Sequence, residues 1–327
     1  MNQMPFPEFF EQSPTILGEG AVIERLRRNT GFELDPFIVN SAFIYDKGRR
    51  AALETIYRQY LDIGFQYDLP LLLSTPTWRA SRERISAAGY EGRDVNGDNF
   101  RFLDALRNSY GVYARKVVIC GLLSCQGDAY NPEEALDADV AFEFHTWQAM
   151  KLSEAGVDFL LAATLPALSE ATGLASALAV TGKPYIVSFV VRPEGKLLDG
   201  TSLKDAIVAI DDAVIPKPMA YLVNCTHVSI FRSAILNEIN SSSFVRTRIV
   251  GLLANTAALN PEELDNSTEL LEEEPDAFAQ SVACLHEDLG MKILGGCCGT
   301  DHRHIRHLAK QLTSGPFELE TIKQPIL

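Results

Sequence analysis

Three cysteines hold the most suggestive chemistry in this chain. Cys225 closes an apolar run in Tyr221-Leu222-Val223-Asn224-Cys225-Thr226-His227. Cys297 and Cys298 close another in Gly295-Gly296-Cys297-Cys298-Gly299. Three thiolates fill three corners of a tetrahedral zinc site and leave the fourth open, the arrangement of a catalytic rather than a structural ion. Glycines on both sides of the vicinal pair let the backbone turn tightly, so that both sulfurs can face one ion. A second reading stays open at this point: three unligated thiols, because free cysteine is among the most buried residue types. His227, two residues past Cys225, is a competing ligand. Cys120, Cys125 and Cys284 read as core or strand residues.

The cysteine groups are far apart in sequence and meet only if the fold brings them together. Apolar strand-like runs alternate with helical patterns along the chain. The strands are expected at Thr15–Leu17, Leu69–Ser74, Val117–Leu123, Asp158–Ala162, Tyr185–Val191, Ala220–Asn224, Arg248–Leu253 and Lys292–Leu294. Helical stretches separate them, among them Arg49–Asp62, Phe100–Tyr110, Val140–Ala155, Ser169–Val180, Leu203–Ala213, Phe231–Ile239 and Asp301–Leu312. The clearest helix is Pro275–Leu289. Phe278, Val282, Leu285 and Leu289 share one face, Pro275 suits the first turn, and Gly290 suits the stop. Eight units in strict alternation imply parallel strands and a (β/α)8 TIM barrel, an α/β fold. The open doubly wound sheet is the rival, but Gly18-Glu19-Gly20-Ala21 carries only the start of its fingerprint. One barrel domain is expected over 1–327, with 1–14 as an N-terminal extension. In such a barrel Cys225 ends strand six and Cys297 and Cys298 end strand eight, so a zinc site falls at the C-terminal face of the strands. The segment Ala254–Glu274 would overhang that face.

Composition narrows the classes. The chain has 327 residues, 46% hydrophobic and 22% charged, ordinary for a globular enzyme. A net charge of −14 and no basic tract argue against nucleic-acid binding. Glu272-Glu273-Glu274 reads as a solvated stretch. No apolar run is long enough to span a membrane, and no leader pattern precedes the first strand. The six cysteines suit a reducing compartment, and the expectation is cytoplasmic.

With these motifs in place, the chain resembles the homocysteine S-methyltransferase family, which includes betaine- and S-methylmethionine-dependent enzymes. Asn224-Cys225-Thr226 and Gly295-Gly296-Cys297-Cys298-Gly299 match its two zinc-ligand motifs. Leu17–Leu26, Thr75-Pro76-Thr77-Trp78, Glu154–Asp158 and Asp199–Leu203 are similar to softer segments. The resemblance spans about Ile16–Lys310. It implies a zinc-bearing (β/α)8 barrel, Zn2+ as cofactor on Cys225, Cys297 and Cys298, and methyl transfer from a small cationic donor to a thiol, homocysteine giving methionine. It implies substrate contacts at Glu19, Thr77, Trp78, Asn224 and Asn255, with Trp78 facing the donor's cation. Few residues follow the eighth unit, so a small diffusible donor is expected. Oligomeric state and the choice among betaine, S-methylmethionine and S-adenosylmethionine stay open.

The chain departs from the family pattern at two acids and one loop. Glu19 stands near the family's Asp-Gly after strand one, one methylene longer. Ala163 stands where the family has a Glu that helps bind the amino group of homocysteine, a contact worth about 1.5–3 kcal/mol. Either another acid, Glu143 or Glu170, compensates, or the acceptor is a different thiol. Around Asn255 the family's Pro and Gly are replaced by Ala254 and Ala257. A zinc- or thiol-binding homologue without turnover is the non-enzymatic alternative.

Overall fold

The apolar runs become eight strands: β1 (Ile16–Gly18), β2 (Leu71–Ser74), β3 (Val117–Ser124), β4 (Phe159–Leu165), β5 (Tyr185–Phe189), β6 (Ala220–His227), β7 (Ile249–Asn255) and β8 (Ile293–Gly296). Every neighbouring pair is parallel, and β8 pairs with β1 to close the barrel in sequence order. These strands are buried on both faces, which is why they read as continuous apolar runs rather than alternating ones. The source is a computed structural model of the chain, which describes residues 3–29, 31–259 and 273–314. Most of the overhanging segment Ala254–Glu274, Glu272 of the acidic run included, lies outside the described residues. Among those described, no helix is long and apolar enough to cross a membrane.

Among the described residues the α-helices are α1 (Phe6–Gln12), α2 (Ile23–Asn29), α3 (Lys47–Gln66), α4 (Arg82–Ala87), α5 (Val95–Asn108), α6 (Ala138–Ala155), α7 (Leu168–Ala179), α8 (Leu203–Ala213), α9 (Val228–Leu236), α10 (Ser243–Arg248), α11 (Pro275–Leu289) and α12 (His302–Thr313). The helix from Pro275 stops at Gly290 in the left-handed conformation, as its sequence suggests. The core has two layers. Leu71, Leu73, Val117, Ile119 and Leu160 face the helices, while Ile16, Leu72, Val118, Phe159, Leu161 and Ile186 fill the barrel.

The stretch ahead of β1 is helical and closes one end of that interior. Phe6 and Phe9 of α1 are buried in the inner layer, and the Phe6 ring stacks on Phe159 with centroids 3.8 Å apart. Phe159 and Ile16 begin their strands, so α1 covers the N-terminal mouth of the barrel and leaves the opposite mouth to the site. At the seam, β1 and β8 touch backbone to backbone. A Cβ on Gly295 would lie 2.6 Å from the Cα of Gly18, so the strand that carries the cysteine pair must be bare there.

Candidate active site

The C-terminal ends of β1, β2, β3, β4, β6, β7 and β8 surround a cavity of about 510 Å³. All three cysteines line it. Their sulfurs lie within 4.8 Å of one another, and Cys225 Sγ is 3.4 Å from Cys298 Sγ. A tetrahedral ion with metal–sulfur bonds of about 2.3 Å separates its sulfurs by about 3.8 Å, so the donor set fits a metal without rearrangement of the strands. His227 is not part of this group: its Nδ1 accepts from Ser229 N at 3.2 Å, and its Nε2 lies 3.5 Å from Glu273.

The local backbone explains how these sulfurs converge. Cys225 adopts φ 53, a left-handed conformation that a side chain rarely takes, and Asn255 Nδ2 donates to its carbonyl at 3.2 Å. On the facing side, Cys297 N donates to Ala254 O at 2.6 Å and Thr256 N donates to Cys298 O at 3.2 Å, tying the turn to β7. Thr300 N and Thr300 Oγ1 both donate to Cys297 O. Gly299 has φ +82, and a Cβ there would lie 1.8 Å from Thr256 Oγ1. Its N–H donates to Glu24 Oε2 at 2.5 Å, which anchors the turn to α2. Glu24 carries no signal in the sequence pattern beyond lying in the matched first turn.

The cluster favours one negative charge. Hydrogen bonds from Cys297 and Cys298 hold the Cys225 thiol well below its ordinary range; burial opposes them, and Tyr130 adds to them. The same bonds to Cys225 keep Cys297 and Cys298 well above theirs. Tyr130 comes from the loop after β3 and places its hydroxyl 2.9 Å from Cys225 Sγ. Sequence reasoning missed it, because a tyrosine in a polar loop has no periodicity to mark it.

Glu19 brings a buried carboxyl oxygen to the cavity. Its Oε1 accepts from Ser74 N at 3.1 Å, while its Oε2 is buried with no partner. Burial pushes its pKa up to about 8, with the Ser74 bonds opposing. Ala163 lines the same space, and neither acid named as a substitute does. Glu143 is exposed on α6. Glu170 is fully buried and accepts from Gln126 N at 2.6 Å and Leu136 N at 3.2 Å, beside His145 Nε2 at 2.9 Å. It fixes the loop that carries Tyr130.

The remaining expected contacts divide. Asn224 lines the cavity but its amide is committed to the framework. Oδ1 accepts from Thr164 N and Ser188 Oγ at 2.8 and 2.6 Å, and Nδ2 donates to Thr164 Oγ1 at 2.7 Å. Those bonds hold Thr164 at φ 60, within a register shift of β4. Asn255 also lines the cavity, with Oδ1 buried and unpartnered. Thr77 is not among the lining residues; its hydroxyl donates to Leu122 O at 2.9 Å and meets Thr75 Oγ1 at 2.7 Å. Trp78 does line the cavity, but Arg79 of this chain lies over its ring, 4.6 Å from the centroid.

Comparison with known proteins agrees with this architecture. The family model described as homocysteine S-methyltransferase matches residues 16–312. The chain is 26% identical over 324 residues to homocysteine S-methyltransferase YbgG of Bacillus subtilis, covering 93% of this chain and 96% of that protein. It is 23% identical over 313 residues to rat betaine–homocysteine S-methyltransferase 1, covering 91% and 72%. The metallated form of the homocysteine methyltransferase MmuM from Escherichia coli superposes with a TM-score of 0.73 at 18% identity, over 94% of this chain and 100% of that one. The chain belongs to the homocysteine S-methyltransferase family, and with it to the S-methyltransferases.

Proposed function

We propose that this chain moves a methyl group from a small cationic donor to a thiol, with homocysteine the family's acceptor, and that Cys225, Cys297 and Cys298 hold the zinc ion the reaction uses. The convergence of three sulfurs within 4.8 Å, from strands two units apart, carries the reading. MmuM, a protein of the same fold, exists in a metallated form. Zinc bound there supplies what thiol chemistry lacks at neutral pH, an acceptor sulfur without its proton.

The chain's own residues do the rest. Glu19 offers its unpartnered oxygen to an ammonium group, and that positive charge offsets the burial that otherwise keeps the carboxyl protonated. Leu122, Leu161 and Leu253 give the cavity apolar walls that exclude water around the reacting sulfur. The sulfur attacks the methyl carbon in line with the leaving group. The new carbon–sulfur bond forms as the methyl carbon's bond to the donor's onium atom breaks, and that atom keeps the electron pair and leaves neutral. Positioning and charge are the protein's contribution.

A second reading changes only the acceptor. Ala163 borders the cavity and Glu170 is committed elsewhere, so one acidic contact of the family pattern is missing and a thiol without an amino group would lose less here. One experiment separates these. Purified protein is assayed for zinc and screened with homocysteine and simple alkyl thiols against betaine, S-methylmethionine and S-adenosylmethionine. About one zinc per chain with transfer to homocysteine supports the first reading, and transfer only to other thiols supports the second. No transfer to any thiol refutes both.

A further inference from the structure

We infer that Arg79 reads a carboxylate on a substrate, through a guanidinium that the loop after β2 holds in place. The inference rests on the proposed methyl transfer only for the choice of ligands.

Arg79 follows Trp78 in the loop after β2 and lines the cavity half-buried. Two contacts fix its guanidinium. One is the Trp78 ring. The other is Gln126 O, which accepts from Arg79 Nη1 at 3.0 Å. Gln126 is itself immobilised, because its N–H is held by the buried Glu170. A guanidinium held on a ring and a peptide is preorganised, and its planar fork matches a carboxylate.

No acid takes that fork among the described residues. Asp128 lines the same cavity but its Oδ1 accepts from Tyr130 N at 2.9 Å, and no ion pair joins it to Arg79. A second cation sharpens the imbalance. Arg84 Nη2 donates to the same Gln126 O at 3.0 Å. Its pKa lies below the ordinary range, chiefly through burial and then through the Arg79 charge. Two arginines converge on one neutral carbonyl, and among the described residues neither has an ion pair.

Elsewhere on the cavity wall is the opposite deficiency. Glu19 Oε2 is buried without a donor. One cavity therefore presents an unpartnered carboxyl oxygen and a guanidinium without an ion pair. A carboxylate on a ligand satisfies the guanidinium, whereas a thiol or donor lacking the acid leaves it unpaired. The carboxylate belongs to the acceptor or to the donor, and the test assigns it.

Calorimetric titrations of the zinc-loaded protein with two matched pairs decide the matter. The acceptor pair is homocysteine and 3-aminopropanethiol; the donor pair is S-methylmethionine and its decarboxylated sulfonium. Arg79→Gln is expected to weaken the acid of one pair about 10- to 150-fold and its decarboxylated counterpart less than about twofold. Arg79→Lys, which keeps the charge and loses the fork, should fall between. The responding pair identifies which substrate carries the carboxylate. Wild-type protein that binds neither acid better than its counterpart overturns the inference, as does an equal loss for both members of a pair. Binding is read without turnover, so selective binding with no methyl transfer would sink the proposed reaction and leave Arg79 in its role.

Discussion

Replacing Glu19 by Gln tests the site's electrostatics without touching a cysteine. Burial holds the Glu19 pKa at about 8, against 4.5 for the free side chain. The folded chain thus keeps a proton that the unfolded chain has released. A raised folded pKa gives stability that is complete below about 4.5 and is lost as pH rises through about 8. Within that window the loss is about 1.4 kcal/mol per pH unit, so moving from about pH 5.5 to about pH 7.5 costs at most about 2.7 kcal/mol. Gln mimics the neutral acid in size and does not titrate, and all other groups are common to both proteins. Urea unfolding of chelator-treated wild type and Glu19→Gln at the two pH values should show the wild type losing about 2–2.5 kcal/mol more than the variant. Metal-free protein is the right material, because a divalent charge beside the cavity would alter the titration. Parallel losses in the two proteins would mean that Glu19 is ionised in the fold, and the account of a burial-dominated acid would be wrong.

Three further outcomes are expected. Cys297→Ala should release most of the bound zinc, read by metal analysis, with the circular dichroism of the barrel unchanged, since Cys297 stands at the mouth; stoichiometric zinc in the variant would refute its assignment as a ligand. Ala163→Glu should raise kcat/KM for homocysteine relative to a simple alkyl thiol at constant zinc content, because it returns an acid to the cavity wall; a fall in that ratio would favour the other acceptor. Phe6→Ala should destabilise the chain by about 3–5 kcal/mol in urea unfolding while leaving zinc content alone, because the ring is buried at the far end of the barrel.

The sequence was readable where a pattern repeats. Strands apolar on both faces announce a parallel sheet, and β5 and β6 begin at the expected Tyr185 and Ala220. Strand ends were harder to read. β4 was expected to stop at Ala162 and runs to Leu165, and β6 was expected to stop at Asn224 and runs to His227. Both extensions pass through the left-handed residues Thr164 and Cys225, which no propensity predicts and which Asn224 and Asn255 stabilise from other strands. Helix α4 begins only at Arg82, because Thr77, Trp78 and Arg79 build cavity wall and framework ahead of it. Helix α1 was not foreseen: seven residues with two buried phenylalanines make too short a period to recognise, and their partners lie far along the chain. The cysteine motifs were legible because their residue types are rare. Tyr130 and Arg79 were not, since their meaning lies only in what they touch.

The left-handed backbone at Cys225 sets the fold against the chemistry. Glycine would adopt φ 53 without the crowding a Cβ brings, a relief of about 1 kcal/mol at such a position, and Thr164 at φ 60 carries the same burden. At 164 the balance reverses, because glycine there would leave Asn224 Nδ2 without the hydroxyl it donates to, a loss of about 1–3 kcal/mol. At 225 the relief is set against glycine's greater freedom in the unfolded chain, so backbone strain alone does not choose the residue and the sulfur is what distinguishes cysteine there. Two positions alike in backbone thus answer to different demands, one to the framework and one to the site.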